Sequence, residues 1–211
     1  MIYRRIKRML DMILSIIGIL ILSPILIITA VLIYIDSRGP IIFKQKRLGL
    51  NGKEFYMYKF RSMCCNAENK GSGHYSFKGD PRVTRVGKII RATSIDELPQ
   101  FFNIIKGDMS LIGPRPTLTY HPYKYKDYSK EQLKRFNVRP GVTGLAQING
   151  RKDITWSRRI KYDIEYVDNF SFRMDLKILM ITILKVITMR DNVNVNITIE
   201  EKGKEADERW L

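Results

Sequence analysis

The chain has 211 residues, with 37 Lys and Arg against 21 acids and a formal net charge of +16. That length suits one domain with a real core plus appendages, and excludes two large domains. The charge calls for anionic partners, whether an anionic bilayer, nucleic acid or phosphorylated metabolites, and does not choose among them. The two cysteines, Cys64 and Cys65, are adjacent, a spacing that suits neither a zinc site nor a disulfide framework and fits a reducing compartment.

The stretch from Met12 to Ile35 carries no charge. As a helix it would be about 36 Å long, enough to cross a hydrocarbon core of about 30 Å. The apolar part of a signal peptide would be shorter, and hydropathy alone favours a spanning anchor. Two details favour a helix-break-helix over residues 1–38 that dips into one leaflet and returns. Pro24 removes the hydrogen bond to the Leu20 carbonyl, and the Ser23 hydroxyl can cap what the proline frees. Both flanks are basic, with Arg4, Arg5, Lys7 and Arg8 before the run and Arg38, Lys44, Lys46, Arg47 and Lys53 after it. Positive flanks favour the cytoplasm, and a spanning helix can keep only one there.

After the anchor, "GPIIFKQKRLGLNGKEFYMYKFRSM" alternates around "GLNG" and predicts a β-hairpin that leaves Lys59 and Arg61 at a strand end. Cys64 to Asp80 is small and polar and predicts a mobile surface loop. "PRVTRVGKIIRATS" predicts a basic helix. Asp96 and Glu97 follow, and "QFFNIIKG" predicts a short helix stopped by Gly107. The acid pair therefore sits near a helix N-terminus, where free N–H groups favour anions. "GPRP" fixes the direction of Arg115, and "VRPGVTGLAQINGR" is a glycine-punctuated loop ending in Arg151; both suit phosphate contact.

"HPYKYKDYSKEQLKRF" mixes cations with aromatics and becomes helical toward its end. "TWSRRIKYDIEYVDNF" predicts a helix with Ile160, Ile164 and Val167 on one stripe and Asp163 and Glu165 off it. "FRMDLKILMITILKVITMRD" predicts an apolar helix, either buried or lying in a membrane interface with its lysines snorkelling. "NVNVNITI" predicts a short strand before a charged tail.

Taken in order, the Ser-Pro apolar hairpin, "YKFRSM", "GDPRVTRVGKIIRATSIDELPQ", "GDMSLIGPRP", "RPGVTGLAQINGR" and "NFSFRMDLKIL" resemble the bacterial sugar transferase family, the monotopic phosphoglycosyl transferases. The resemblance runs over about residues 1 to 190. It implies an α+β fold: a helix-rich single domain with a small β-hairpin, an N-terminal re-entrant membrane helix-break-helix and interfacial amphipathic helices. The expected units are the membrane hairpin 1–38, a catalytic domain 39–191 and a C-terminal strand and polar tail 192–211. Without the extra membrane region of the family's large members, the chain reads as the minimal catalytic form.

The implied reaction transfers a phosphosugar from a UDP-sugar to a polyprenol phosphate such as undecaprenyl phosphate, releasing UMP, as the first membrane step of a glycoconjugate pathway. The resemblance implies Asp96 as the nucleophile and a contact for Mg²⁺, with Glu97 serving either the metal or the acceptor phosphate. It assigns Lys59, Arg61, Arg91, Arg115 and Arg151 to phosphates or uridine diphosphate, and Gln147 and Asp163 to organising the site. It places the protein at the cytoplasmic face of the bacterial inner membrane, with membrane lipid but no nucleic acid as partner, and leaves room for an oligomer and for downstream glycosyltransferases. Leu145 and Thr117 depart from the family pattern, which bears on the sugar rather than on the reaction. Two rivals stand beside this reading. One is a membrane-anchored basic protein that binds anionic lipid or nucleic acid without catalysis. The other is a polytopic-type transferase with no covalent step, against which a single apolar run counts.

Overall fold

A computed structural model describes residues 2–69, 76–77, 79–150 and 154–188. The predicted terminal strand and tail, Arg151 and most of the loop centre lie outside the described residues. Helix α1 (Ile2–Asp36) opens the chain, followed by the antiparallel hairpin β1 (Ile42–Leu48) and β2 (Glu54–Phe60). Next come α2 (Arg85–Ala92), α3 (Gln100–Lys106) and the short strand β3 (Ser110–Ile112). The remainder is α4 (Lys130–Leu133), β4 (Gly141–Thr143), α5 (Leu145–Ile148), α6 (Trp156–Asp168) and α7 (Phe172–Ile187). Helix-rich with two small sheets, it has the predicted fold class.

The chain does not split into two helices at Pro24; one helix carries through. The Ser23 hydroxyl donates to the Leu20 carbonyl at 2.8 Å, taking over the acceptor that proline leaves without a donor. Burial along α1 is inverted. Its buried residues are Lys7, Asp11, Ser15, Thr29 and Ile33, while large apolar residues such as Leu20 (67 % exposed) and Ile21 (70 % exposed) face outward.

Both ends of α1 are fastened to the same body. Near its start Lys7 pairs with Asp175 at 2.8 Å, and Asp11 accepts from Ser110 Oγ and the Leu111 N–H. Near its end Ile33 packs with Phe60 and Ile90, and Asp36 accepts from the Val86 N–H at 3.0 Å. Helix α7 adds to the same outward apolar surface. It buries Asp175 and Ile178 and exposes Phe172, Leu176, Met180 and Ile183 among others. Tyr3 of α1 lies against Phe172, so the two apolar faces adjoin. The helix is therefore two-sided: Ile178, with Met174, Leu179 and Ile181, packs into a buried cluster, and the opposite face is exposed.

The hairpin has the predicted turn, and its register pairs Phe43 with Lys59 and Arg47 with Phe55. Gln45 pairs with Met57, so Gln45, Arg47 and Lys59 share one face. Asn103 ties α3 to the free edge of β2, accepting from the Tyr58 N–H at 2.9 Å and donating to the Tyr56 carbonyl at 2.7 Å. The glycine-rich stretch after Val138 is more structured than the sequence suggested, because it forms β4, parallel to β3, and then α5. Backbones abut there: a Cβ on Gly144 would stand 2.1 Å from the Gly113 carbonyl oxygen. Close approach of main chains therefore accounts for glycine at both positions.

The stretch from Cys64 to Asp80 is tied at its ends. Arg82 is buried, takes both Asp80 oxygens at 2.9 and 2.7 Å and donates to the Ala67 carbonyl.

Candidate active site

Asp96 and Glu97 sit in a 3₁₀ turn (Ile95–Glu97) directly before α3. Ser94 opens the turn at φ 60°, a left-handed conformation that reverses the chain out of α2. The turn closes through the Glu97 N–H to the Ser94 carbonyl and the Leu98 N–H to the Ile95 carbonyl, each at 3.1 Å. Pro99 then leads into α3 with no N–H to satisfy.

The two acids have different surroundings. Glu97 Oε1 accepts from Lys59 Nζ at 2.8 Å and from Arg115 Nη2 at 2.8 Å. One oxygen thus joins the end of β2 to the "GPRP" turn. Asp96 is half-buried, and among the described residues no side chain hydrogen-bonds its carboxylate. Enclosure raises the Asp96 carboxyl above its ordinary value, the Glu97 charge adds to this, and Lys59, Arg91 and Arg115 oppose it. Enclosure works against the Glu97 charge too, but Arg115 and Lys59 outweigh it and hold that carboxyl well below the usual range. The pair is therefore split into a fixed anion and a neighbour that protonates more readily.

Arg115 is held from behind. Its carbonyl accepts from Arg135 Nη2 at 3.1 Å, and Arg135 in turn donates to Asp163 Oδ2 through Nε at 3.1 Å and Nη2 at 2.6 Å. Asp163 is fully buried rather than off the packed stripe of α6, because Arg135 pairs with it inside. Arg47 donates to the Pro116 carbonyl at 3.2 Å, and the Leu48 N–H donates to the Thr117 carbonyl at 2.9 Å.

Burial, with repulsion from Arg115, pushes both Arg47 and Arg159 down to about 10. Both remain cations at neutral pH. Four arginines thus gather around one turn, an arrangement that costs self-repulsion and suits a bound polyanion.

Not every predicted residue joins this centre. Arg61 is buried, and its guanidinium caps the end of α1, donating to the Ser37 carbonyl at 2.6 Å and the Arg38 carbonyl at 3.0 Å. Arg91, in the last turn of α2, is close enough to act on Asp96 by charge. Gln147 is buried in α5, and among the described residues neither of its amide atoms has a hydrogen-bond partner.

Arg47, Arg135 and Arg159 were missed from the sequence. Period two along β1 places Arg47 on the Lys59 face and could have found it. Nothing local distinguishes Arg135 from Lys134, since its partner Asp163 is 28 residues away.

The bacterial sugar transferase family profile matches residues 2–189. The uncharacterized sugar transferase EpsL of Bacillus subtilis is 42% identical over 197 residues, covering 93% of this chain and 94% of that protein. The UDP-N-acetylgalactosamine-undecaprenyl-phosphate N-acetylgalactosaminephosphotransferase of Aeromonas hydrophila is 45% identical over 89% of this chain, which spans only 45% of that longer protein. The UDP-glucose:undecaprenyl-phosphate glucose-1-phosphate transferase of Caulobacter vibrioides is 41% identical over 86% of this chain and 70% of its own length.

The split of the acid pair can be measured directly. Carboxyl NMR of the protein in micelles should show Asp96 titrating above ordinary aspartates. Glu97→Gln removes a neighbouring anion and releases Lys59 and Arg115, so the Asp96 midpoint should move to lower pH. A midpoint unmoved in that variant would mean the two carboxylates do not share a field.

Proposed function

This chain belongs to the bacterial sugar transferase family, and we propose that it is a phosphoglycosyl transferase that moves a phosphosugar from a UDP-sugar to a polyprenol phosphate through an aspartyl intermediate. The observation that carries the reading is the half-buried Asp96 carboxylate, which lies among Lys59, Arg91 and Arg115 while Glu97 takes the ion pairs. An Asp96 oxygen attacks the sugar-bearing phosphorus, forming an acyl phosphate bond as the bond to the bridging oxygen breaks and UMP departs. An oxygen of the lipid phosphate then attacks the same phosphorus, releasing the Asp96 carboxylate and giving the polyprenyl diphosphosugar. Lys59 and Arg115 offset the charge that would otherwise repel an anionic nucleophile from a diphosphate. Glu97 orients those cations and stays ionised throughout.

Mg²⁺ is part of the proposal. Among the described residues no cluster of three His, Cys, Asp or Glu side chains stands ready to cage a metal. Mg²⁺ takes few protein carboxylates and completes its shell with phosphate oxygens and water, so Asp96 together with the donor diphosphate suits it. When bound it would neutralise phosphate charge. The relatives carry different sugars in their names, glucose in one and N-acetylgalactosamine in another, so the donor sugar is left open.

The membrane reading follows from the inverted burial of α1. A spanning helix would carry one end to the far side of the bilayer, whereas here residues near both ends hold the same body. The outward apolar faces of α1 and α7 would lie in one leaflet, with the basic flanks and the active site on the cytoplasmic side. A basic protein that only bound lipid would have no use for an acid pair at the centre of its cations.

Two experiments test this reading. Enzyme and UDP-sugar without lipid should release UMP up to one equivalent per enzyme, and adding undecaprenyl phosphate should start turnover. UMP release that strictly requires the lipid would point to direct displacement. For the membrane arrangement, single cysteines at the N-terminus and after Gly52 should both be protected from an impermeant reagent outside intact cells. Labelling at the N-terminus alone would mean a spanning helix.

A further inference from the structure

We infer that Trp156, with Arg159 across its ring, is the platform on which the nucleobase of the donor stacks. The inference rests on the UDP-sugar reading of the site. Trp156 is the first residue of α6, and Thr155 caps that helix by accepting from the Arg158 N–H at 3.2 Å. The Arg159 guanidinium carbon lies 4.8 Å from the centroid of the indole, and the His121 ring meets it edge-on at 5.4 Å and 81°. The indole is half-buried and belongs to none of the four buried apolar clusters. Its described ring neighbours are a cation and an imidazole, so filling a core does not account for it.

Position relative to the acid pair supplies the rest. Arg159 lies one turn before Asp163 on α6, and Asp163 is joined through Arg135 to the carbonyl of Arg115, the arginine that pairs with Glu97; Arg115 is accordingly among the charges that act on Arg159. The order from the reacting carboxylates outward is Arg115, Arg159, Trp156. The donor has the same order from its reacting phosphorus outward: diphosphate, ribose, base. A base is an uncharged π surface, and an indole overlaid by a guanidinium offers it both stacking and a cation–π contact. Tyr120, exposed beside Arg47, is the competing platform. Its phenol has the smaller π face.

The chain has two tryptophans, and the other is Trp210, so Trp210→Phe leaves Trp156 as the sole indole reporter. In that variant of the full chain in micelles, UMP should quench the emission saturably and ribose 5-phosphate should not. Trp156→Leu should weaken UMP binding by roughly tenfold or more and abolish the advantage of UMP over ribose 5-phosphate. It should raise KM for the UDP-sugar more than it lowers kcat. Trp156→Phe should keep most of the affinity, which separates lost stacking from a collapsed fold. UMP binding that is unchanged in Trp156→Leu, or lost in Tyr120→Leu instead, overturns the inference while leaving the transferase reading intact. A wild-type protein that binds no UMP overturns both.

Discussion

Everything at the active centre depends on one carboxylate oxygen, Glu97 Oε1, which holds Lys59 and Arg115 at 2.8 Å each. Those three residues come from the end of β2, the turn before α3 and the "GPRP" turn, which share no secondary-structure element. Without a common anion, the ammonium and guanidinium would repel each other in a partly enclosed site. With it they converge, and the neighbouring acid is left outside the ion pairs. Arg135 and Asp163 extend the arrangement inward by fixing the Arg115 carbonyl from behind. A buried pair of this kind gives direction more than stability, because the desolvation of both charges offsets much of their attraction.

The membrane helix is built to the opposite rule from a soluble one. Lys7, Asp11, Ser15 and Thr29 face the protein, and most of its large apolar residues, Ile33 apart, face outward, which suits burial in hydrocarbon rather than in a core. The Lys7, Asp11 and Asp175 cluster links α1 to α7 and, through Ser110, to β3, the strand that runs into the "GPRP" turn. The anchor and the active site are thus joined by the Asp11–Ser110 hydrogen bond and the short run of chain from Ser110 to Arg115. Arg61 does the same at the other end of the helix, and that structural task occupies the guanidinium that the family resemblance had assigned to phosphate.

The legibility of the sequence followed the range of the forces involved. The hairpin, the short helix stopped by Gly107 and the serine that substitutes for the proline's missing donor are local effects, and all were readable. The acid pair was readable only as a motif, because adjacent Asp and Glu before Leu-Pro ordinarily mean a helix start. What stayed hidden was long-range. Periodicity set Asp163 off the packed stripe of its helix, and only the family resemblance drew it to the site, because Arg135, the residue that lets it be buried, is far away in the chain. The glycines after Val138 looked like a phosphate loop because the Gly113 backbone they pack against is equally distant.

The central claim is a division of labour, in which Asp96 bonds to phosphorus and Glu97 only holds cations. Trapping the protein after exposure to UDP-sugar alone, then mapping the phosphosugar by peptide mass spectrometry, tests it most directly. The adduct should sit on Asp96 in the wild type, form more slowly but at the same residue in Glu97→Gln, and be absent from Asp96→Asn. An adduct on Glu97, or one that persists in Asp96→Asn, would contradict the account.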